Sequence, residues 1–541
     1  MNVAVIASCY GYGIDQVKPW VNSLKQTGFK GMVFVIVYNP SDNILLEYFK
    51  SEGIFAFVAQ FTGETNMATQ RFINYIEVLN TDYGKEVDLV ISTDIRDIVF
   101  QTDPGVWLQN NMQDYDLVAT SEGIRFRHED WNGGNLEKHF GKKRFVTHAD
   151  KETLCSGIIA GKKDVIMKLF KTIYEIAFFS EDTGDFVDQV FYNIAIYEIF
   201  KEKTRIVSAG EDWVANIGTI KAIPENMPKW STSSRCETYG YERIRKNKTY
   251  NEVLLCKIPE MKDTIVYAEN GKPYSIVHQY DRYQPWKEIL LEKYGGFKFA
   301  KHEDLGFYLW AYKNVESADY ILGKLRESYP KADLVISSDN GESFEEVAIK
   351  HSAKKYIHGT KSHGPSSKSL ESGRYGWTVN EANLWLARLY EACKEIQNDW
   401  VMLMEEDILV KQQFTFPAND IIMIPKIHNP ISNAGLDWIK SVGGNISYPW
   451  YSAGGGSIIN KHKFIEAYEK NIDSFVENYE RIYEESMKQG AAGWGWNDSI
   501  IAVLMYSVNA TISVDLPIIE SGNEEDNAAI IHKFKKHYRT T

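Results

Sequence analysis

The residues with the clearest chemical potential are acids that follow a short apolar run near residue 90. In VDLVISTDIRDIVFQTDP, residues 87–104, the run Leu89–Val90–Ile91 ends at a polar turn that holds Asp94 and Asp97. Carboxylates at a strand end can bind a hard divalent cation such as Mg²⁺ or Mn²⁺, because such ions prefer oxygen ligands. The same two acids can instead occupy a solvated turn. On its own, this stretch favours the turn.

A similar pattern occurs in the second half of the chain. In DWVMLMEEDILV an apolar run again ends in acids, and Glu405 and Asp407 are the candidate ligands. Their i, i+2 spacing lets both carboxylates turn toward one pocket where the strand breaks. Superposing the two strand ends pairs Asp94 with Asp407 and leaves Asp97 opposite Val410, without an acidic counterpart.

Two histidines occupy matching late positions in the halves. His278 lies in IVHQYDRY and His532 in IIHKFKKHY, each after a short apolar run. Imidazole is a further ligand type that a divalent transition-metal ion accepts. A lone histidine of this kind is more often structural, but the repetition favours two metal sites. The predicted ligand sets are Asp94, Asp97 and His278 in the first half, and Glu405, Asp407 and His532 in the second.

These residues belong to a long, divergent repeat. Each half has, in the same order, a strand, a helix, a second strand, another helix, the acidic strand end, a small-residue segment with a helix, an acid before an apolar helix, and the histidine. Strands that alternate with helices predict an α/β fold with mostly parallel, Rossmann-like sheets. The glycines Gly295 and Gly296 mark the expected boundary, which gives domains 1–298 and 299–541. Ligands in such sheets bind at the carboxyl ends of strands.

Composition excludes several classes of protein. A chain of 541 residues with 44% hydrophobic and 25% charged residues is typical of a soluble protein with two large domains. The net charge of −13 argues against a nucleic-acid partner. Five scattered cysteines without a CxxC pair indicate neither a disulfide framework nor a zinc site. Neither a signal peptide nor a membrane span is evident, so we expect a cytoplasmic location.

Together, the acidic strand ends and the late histidines resemble the nucleotide-sugar glycosyltransferases with a GT-A fold. The resemblance covers nearly the whole chain, once per half. It implies two tandem GT-A domains, a nucleotide-diphosphate sugar as donor, an oligosaccharide or glycan as acceptor, and Mn²⁺ or Mg²⁺ as cofactor.

The second half carries a more specific likeness. AAGWGWNDSI is similar to the WGWGxED segment of galactosyltransferase-like GT-A enzymes. The resemblance implies that Trp494 or Trp496 packs against a sugar and that Asp498 deprotonates the acceptor hydroxyl. Asn497 departs from the family, which often has another acid there. The alternative is a Gly-Trp turn that packs in the core, with Asp498 as a helix N-cap.

The first half is more loosely similar to retaining enzymes of the glycogenin/galactosyl type. DFVDQVFYN matches an Asp-Gln pair that in those enzymes lies beside the transferred sugar, which implies that Asp188 is catalytic or sugar-binding and that Gln189 binds the sugar. Arg71, on the helix before the acidic strand, either contacts the diphosphate or lies at the surface.

Small residues follow the acidic strand in both halves. The segment AGGGS contains Gly455 and Gly456, and Ser156 and Gly157 occupy the matching place in the first half. Glycine lets a backbone approach a ligand closely, and no GKS/T follows as in a Walker loop. We expect these positions to line the donor or acceptor sugar.

The leading hypothesis is a bifunctional glycosyltransferase that transfers hexoses or pentoses from two sites. In one alternative, a single module is catalytic and the other is a degenerate sugar-binding or scaffold domain. The imperfect DxD of the first half favours the first module as the degenerate one. A metal-dependent phosphohydrolase is a weaker alternative, because neither DIRDIV nor EEDILV has the DxDxT/S context of its nucleophile.

Overall fold

The chain forms two compact units, Met1–Phe297 and Lys298–Thr541, whereas the sequence placed the boundary between residues 298 and 299. The computed structural model describes residues 1–40, 43–180, 188–226, 250–339, 341–359, 369, 371–374, 376–423, 429–446, 450–451, 455–488, 493–513, 516, 518–519 and 529–532. Among the helices of these residues, none has the length and hydropathy needed to cross a bilayer.

The N-terminal unit alternates strands and helices along most of its length. Its strands are β1 (Val3–Tyr10), β2 (Met32–Tyr38), β3 (Phe55–Ala59), β4 (Leu89–Thr93), β5 (Ile98–Phe100), β6 (Leu117–Arg125), β7 (Glu152–Lys162), β8 (Thr204–Val207), β9 (Val214–Asn216), β10 (Glu260–Lys262), β11 (Ile265–Tyr267) and β12 (Ile276–His278). Its α-helices are α1 (Ile14–Gln26), α2 (Ile44–Ser51), α3 (Met67–Leu79), α4 (Asp82–Lys85), α5 (Pro104–Asn111), α6 (Asp130–His148, kinked at Gly141), α7 (Lys163–Phe179), α8 (Asp188–Ala195), α9 (Ile223–Asn226) and α10 (Gln284–Leu290).

The C-terminal unit follows the same plan with shorter strands. These are β13 (Phe299–Ala300), β14 (Leu305–Ala311), β15 (Leu334–Ser338), β16 (Lys355–Ile357), β17 (Trp400–Met404), β18 (Leu409–Val410), β19 (Phe416–Pro417), β20 (Ile421–Ile422), β21 (Asn429–Pro430), β22 (Trp450–Tyr451), β23 (Ile458–Asn460), β24 (Ile512–Ser513), β25 (Ile518–Ile519) and β26 (Ile530–Ile531). The helices are α11 (Val315–Ser328), α12 (Glu345–Lys350), α13 (Val379–Glu395), α14 (Asn433–Ser441), α15 (Lys461–Lys488) and α16 (Gly493–Tyr506).

The two units share one sheet topology. The large sheets run β3-β2-β1-β4-β7-β6-β8 and β16-β15-β14-β17-β23-β20-β24. In each sheet four of the six strand pairs are parallel, and the strand in fifth place is antiparallel to both neighbours. The predicted fold class, two tandem α/β domains of the GT-A (Rossmann-like) kind with mostly parallel sheets, is therefore confirmed.

A small three-stranded sheet accompanies each large one. Its strand order is β5-β12-β9 in the first unit and β18-β26-β25 in the second. In both, the central strand is antiparallel to the first strand and parallel to the third. The sequence repeat predicted the histidine strand but not this sheet.

Apolar side chains cover both faces of the first large sheet. Along β1, Val3, Val5, Ala7 and Cys9 pack with residues of α1, α2 and α5, whereas Ala4 and Ile6 pack with residues of α3, α7 and α8. A parallel sheet that is buried on both faces needs continuous apolar strands, which explains runs such as VAVIAS and LVIS. Helices on both faces leave the strand ends as the place where polar side chains can gather.

We expect each unit to fold alone. Each of the large apolar clusters is built from residues of one unit only. Cutting the chain between residues 297 and 298 therefore removes no side chain from any of these clusters. Fragments 1–297 and 298–541 should each show a single cooperative unfolding transition by circular dichroism in urea. A fragment that stays unfolded in the absence of the other would contradict this.

Candidate active site

The first metal-ligand set lies where the two sheets of the N-terminal unit meet. Asp94 directly follows β4, and its N–H donates to the Gly157 carbonyl of β7 at 2.8 Å. Asp97 directly precedes β5, which pairs with β12 so that His278 lies opposite Ile98. One ligand atom from each of Asp94, Asp97 and His278 lies within 4.8 Å of the others. Strand pairing thus brings together residues almost 200 positions apart.

Neighbouring side chains orient the His278 imidazole for metal binding. His278 Nδ1 lies 2.9 Å from the side-chain oxygen of Asn216, whose amide nitrogen donates to the Ser121 carbonyl at 3.1 Å. Because the Asn216 amide nitrogen donates to Ser121, the Asn216 oxygen must face His278. His278 Nδ1 is therefore the donor to Asn216, and His278 Nε2 can present its lone pair to a metal ion. His278 Nε2 is buried without a hydrogen-bond partner among the described residues. Two carboxylates and this nitrogen fit a divalent ion such as Mn²⁺ or Mg²⁺.

The ligands perturb one another's titration. Burial raises the pKa of Asp97 to about 6, and the Asp94 carboxylate adds to the shift while His278 opposes it. For Asp94, burial is outweighed by Arg71 and His278, which hold its pKa below the usual value. Burial lowers the pKa of His278, but Cys155, Asp97 and Asp94 raise it to above the usual value. Without a metal, the cluster therefore retains protons that an incoming cation must displace.

Gly157 forms one wall of this cluster. A Cβ at Gly157 would lie 2.7 Å from His278 Cε1 and 2.8 Å from Asp94 Oδ2. Gly157 therefore lies against Asp94 and His278, and its predicted place beside the donor or acceptor sugar stays a prediction.

Arg71 connects the metal ligands to the rest of the site. It extends from α3 and is 8% exposed, so the alternative of a surface arginine is wrong. Its Nη1 pairs with Asp94, and its Nη2 donates to Asp188 at 3.1 Å and to the Ser156 carbonyl at 3.3 Å. The guanidinium therefore neutralises buried Asp188 and Asp94, whose side chain is 32% exposed. Contact of Arg71 with a diphosphate stays a prediction.

Asp188 and Gln189 begin α8 on the other side of Arg71. Burial raises the pKa of Asp188, and Arg71 counteracts it. The Gln189 side-chain oxygen accepts from Ser156 N at 3.2 Å. All eight site residues predicted in the first half consequently lie in one connected cluster, namely Arg71, Asp94, Asp97, Ser156, Gly157, Asp188, Gln189 and His278.

The C-terminal unit holds a second ligand set. Glu405 follows β17, Asp407 precedes β18, and His532 follows β26, with one ligand atom of each within 4.8 Å of the others. All three are partly exposed, unlike buried Asp97 and His278. A Cβ at Gly455 would lie 2.8 Å from Glu405 Oε1, as one at Gly157 would from Asp94.

Glu406, between the two ligands, has a structural role. Its carboxylate accepts from the N–H groups of Lys313 and Asn314, both at 2.8 Å. It therefore ties the end of β17 to the segment after β14 and turns away from the ligand pair.

Strand register corrects the predicted pairing of Asp94 with Asp407. Across the large sheets, Leu89 pairs with Lys162 and Trp400 with Asn460, and each of these partners immediately precedes a helix. Asp94 lies five residues after Leu89, and Glu405 lies five residues after Trp400, so Asp94 matches Glu405.

Register in the small sheets fixes the second acid. His278 lies opposite Ile98, and the pair Leu409–Ile531 places His532 opposite Ile408. The acids just before these positions, Asp97 and Asp407, therefore match. The pairing of Asp94 with Asp407, and of Asp97 with Val410, is wrong because the turn between the two acids is one residue shorter in the second unit.

Other predicted residues of the second unit are only partly placed. Gly456 has a positive φ of 94° and donates to the Leu403 carbonyl at 2.7 Å, which continues the β17–β23 ladder. Residues 493–498 form the first turns of α16. The side chains of Trp494, Trp496, Asn497 and Asp498 lie outside the described part of the chain, and their roles stay predictions.

Three polar residues of the first site were missed from the sequence. Asn216 orients His278, and Asn132 accepts from Gln189 Nε2 at 3.1 Å. Glu122 is buried, and burial together with Glu129 raises its pKa to about 7. No local pattern marks these residues, because each acts on a partner brought near only by tertiary structure.

Comparisons with known proteins give structural neighbours only. No protein-family model and no curated protein matches the sequence. The glycosyltransferase GlyE of Streptococcus pneumoniae TIGR4 is similar at 11% identity over 75% of this chain and 91% of its own, with a TM-score of 0.30. The galactosyltransferase LgtC, in complex with donor and acceptor sugar analogs, is similar at 12% identity over 51% of this chain and 86% of its own, also with a TM-score of 0.30.

A methyl group at either wall glycine should weaken metal binding. Gly157→Ala and Gly455→Ala would displace Asp94 and Glu405, respectively, so we expect Mn²⁺ affinity at the affected cluster to fall about 10- to 100-fold. Calorimetric Mn²⁺ titration measures the effect. Gly323→Ala is the control, because its Cβ meets nothing nearer than 3.9 Å. Unchanged affinity in the first two variants would show that the clusters do not bind the ion.

Mn²⁺ binding at the first cluster should strengthen as pH rises through about 6. Below that pH, Asp97 is protonated and must release its proton to the solvent before it binds a cation, so affinity should change by up to about tenfold per pH unit for each proton released. Paramagnetic resonance titrations in a Glu405→Ala/Asp407→Ala background isolate this cluster. Asp97→Asn should reduce the slope, and a flat profile in the parent would contradict the assignment.

Proposed function

We propose that the protein is a glycosyltransferase with two metal-dependent sites, one in each unit. Each site would transfer a hexose or pentose from a nucleotide-diphosphate sugar to a glycan acceptor. The observation that carries this proposal is the repeated cluster of two carboxylates and a histidine, at matching strand ends of two sheets with the same topology. Sites in such sheets lie at the carboxyl ends of strands, where a diphosphate and its cation can be held together.

The ligand sets suit the chemistry of a departing nucleotide. A divalent cation held by these residues would supply positive charge that stabilises the departing nucleotide diphosphate. In the first unit Asp94, Asp97 and His278 would hold that ion, and Arg71 would keep Asp94 ionised and oriented. In the second, Glu405, Asp407 and His532 would do so from a more open position.

Asp188 and Gln189 supply the sugar side of the first site. Asp188 is connected to the metal ligand Asp94 through Arg71, so its carboxylate is held at a fixed position relative to the diphosphate. An ionised Asp188 carboxylate can accept a hydrogen bond from a sugar hydroxyl and stabilise positive charge that develops on the sugar ring. In the second unit, Asp498 would accept the proton of the attacking acceptor hydroxyl.

The first cluster gives no support to a degenerate first module. Although its acids read DxxD and not DxD, the longer turn still presents both carboxylates to the histidine. Its ligands are more buried and more fully supported than those of the second unit. Two active sites on one chain would let successive sugars be added to the same acceptor.

Separate disruption of the two clusters should abolish different transfer steps. A panel of UDP-, GDP- and dTDP-sugars with Mn²⁺ first identifies the donors by nucleotide release and product mass. Asp94→Ala should then reduce one transfer at least about 100-fold and leave the other, whereas Asp407→Ala should do the reverse, since each removes a ligand from one ion.

Exposed Asp82 provides the control, because it pairs only with Lys85 one helical turn away and Asp82→Ala should retain both activities. If Asp94→Ala leaves all transfer intact, the two-site proposal is wrong. If no nucleotide sugar is consumed by the parent protein, the proposed function itself is wrong.

A further inference from the structure

The turn between Asp94 and Asp97 is held by the segment that directly follows His278. Gln279 N donates to the Asp97 carbonyl at 2.7 Å, which extends the β5–β12 pairing by one residue. Gln279 has a φ of 56°, in the left-handed region that few residues other than glycine adopt. The chain therefore bends sharply after this bond, and a single helical turn, Tyr280–Arg282, begins. The bend brings two further side chains to the acidic turn.

Both of these side chains contact Arg96, in the middle of the acidic turn. The Tyr280 hydroxyl donates to the Arg96 carbonyl at 3.2 Å, and Tyr280 is only 1% exposed. Arg96 Nη2 donates to Asp281 Oδ2 at 3.2 Å, and the two side chains are 43% and 21% exposed. Arg282 Nε lies 3.6 Å from the other carboxylate oxygen of Asp281. The backbone and the side chain of Arg96 are thus both connected to the segment next to the histidine.

The C-terminal unit fixes the same turn from a different neighbour. The carbonyl of Glu406, between Glu405 and Asp407, accepts from the Ser317 hydroxyl of α11 at 2.6 Å. The Glu406 carboxylate accepts from backbone N–H groups just before that helix. In each unit a hydroxyl of a buried residue therefore donates to a carbonyl in the middle of the turn, although the turn length and the donor differ. This agreement between divergent repeats indicates that the cluster requires a fixed turn.

We propose that Tyr280 and Asp281 are positioning residues of the first cluster, which hold Asp97 close to His278 before a cation binds. Asp281 acts through the side chain of Arg96, whereas Tyr280 acts directly on the backbone of the turn. Without these contacts the turn would adopt other arrangements, and only the fraction of molecules with all ligands in place would bind the ion tightly. The inference rests on the proposed function, in which this cluster holds a divalent cation.

Tyr280→Phe tests the hydroxyl contact without a change of charge. The variant loses one hydrogen bond, so we expect the Mn²⁺ affinity of the first cluster to fall about 3- to 10-fold. Paramagnetic resonance titration in the Glu405→Ala/Asp407→Ala background measures this affinity. Tyr197→Phe is the matched control, because the Tyr197 hydroxyl also donates to a carbonyl, that of Glu152 at 2.7 Å, but is not part of the cluster. The control should retain the affinity of the parent.

A paired substitution tests the ion pair. Arg96→Gln/Asp281→Asn removes the pair and leaves the net charge unchanged, whereas either change alone would also alter the charge beside the cation. Because partly exposed ion pairs contribute little, we expect Mn²⁺ affinity to fall by up to about fivefold. Arg96→Lys retains a cation for Asp281 and should bind Mn²⁺ nearly as the parent does. Asp116→Asn/Lys162→Gln is the control, because that 2.7 Å pair lies at the opposite end of β4 from Asp94.

Transfer kinetics give a readout that a general loss of stability would not move. In Tyr280→Phe and in the paired variant, the Mn²⁺ concentration for half-maximal first transfer should rise by the same factor as the loss of affinity. Excess Mn²⁺ should restore kcat to within about twofold of the parent. A loss of kcat that excess Mn²⁺ does not restore would indicate a merely structural role and overturn the proposal.

The outcomes separate this proposal from the proposed function. Unchanged Mn²⁺ affinity in both variants, with a parent that binds Mn²⁺ and transfers sugar, would overturn the positioning role alone. Weakened Mn²⁺ binding in the variants of a protein that transfers no sugar would retain the positioning role and reject the proposed function instead.

Discussion

Each metal-ligand cluster depends on one antiparallel strand pair, β5 with β12 in the first unit and β18 with β26 in the second. The first acid of each cluster, Asp94 or Glu405, is placed by the large sheet because it follows a central strand, whereas Asp97 and Asp407 precede the first strand of the small sheet. The histidine comes from a strand far along the chain and reaches them only through the small sheet. Because side chains alternate along a strand, a one-residue slip in this pairing would turn the histidine away from the acids.

The charged side chains of the first site are paired with one another. Arg71 pairs with Asp94 and Asp188, and His278 lies between Asp94 and Asp97. Buried charges are tolerated only when they are paired and hydrogen-bonded, so removing one partner leaves another uncompensated. This constraint explains why an arginine, whose planar fork can serve two carboxylates and a carbonyl, lies at the centre of the cluster. The second site is more open, because Glu405, Asp407 and His532 are all partly exposed.

The second unit uses its buried arginine differently. Arg388 of α13 pairs at 2.5 Å with Asp339, which directly follows β15. In the first unit the corresponding strand end carries Tyr38, whose hydroxyl donates to Asn74 of α3 at 2.6 Å. The two units thus share a backbone plan and a carboxylate–histidine cluster but differ where the ends of their second strands meet the adjacent helix. Such differences are where two related sites would acquire separate ligand preferences.

The sequence by itself determined the α/β class and the repeat, and it predicted both carboxylate–histidine clusters that the structure brings together. These features are local or periodic: apolar runs, helical spacing, acids at strand ends and a histidine after a short strand. Its matching of Asp94 with Asp407 was wrong, because a one-residue difference in turn length is invisible without strand register. Tertiary structure alone decided that Asp94 corresponds to Glu405, that Arg71 is buried between two acids, and that Asn216, Asn132 and Glu122 support the site. The contacts of Asn216 and Asn132 join residues 62 and 57 positions apart, and Glu122 lies where the β6–β7 pairing is irregular. Only the packed sheets bring them together, so no spacing rule along the chain could identify them.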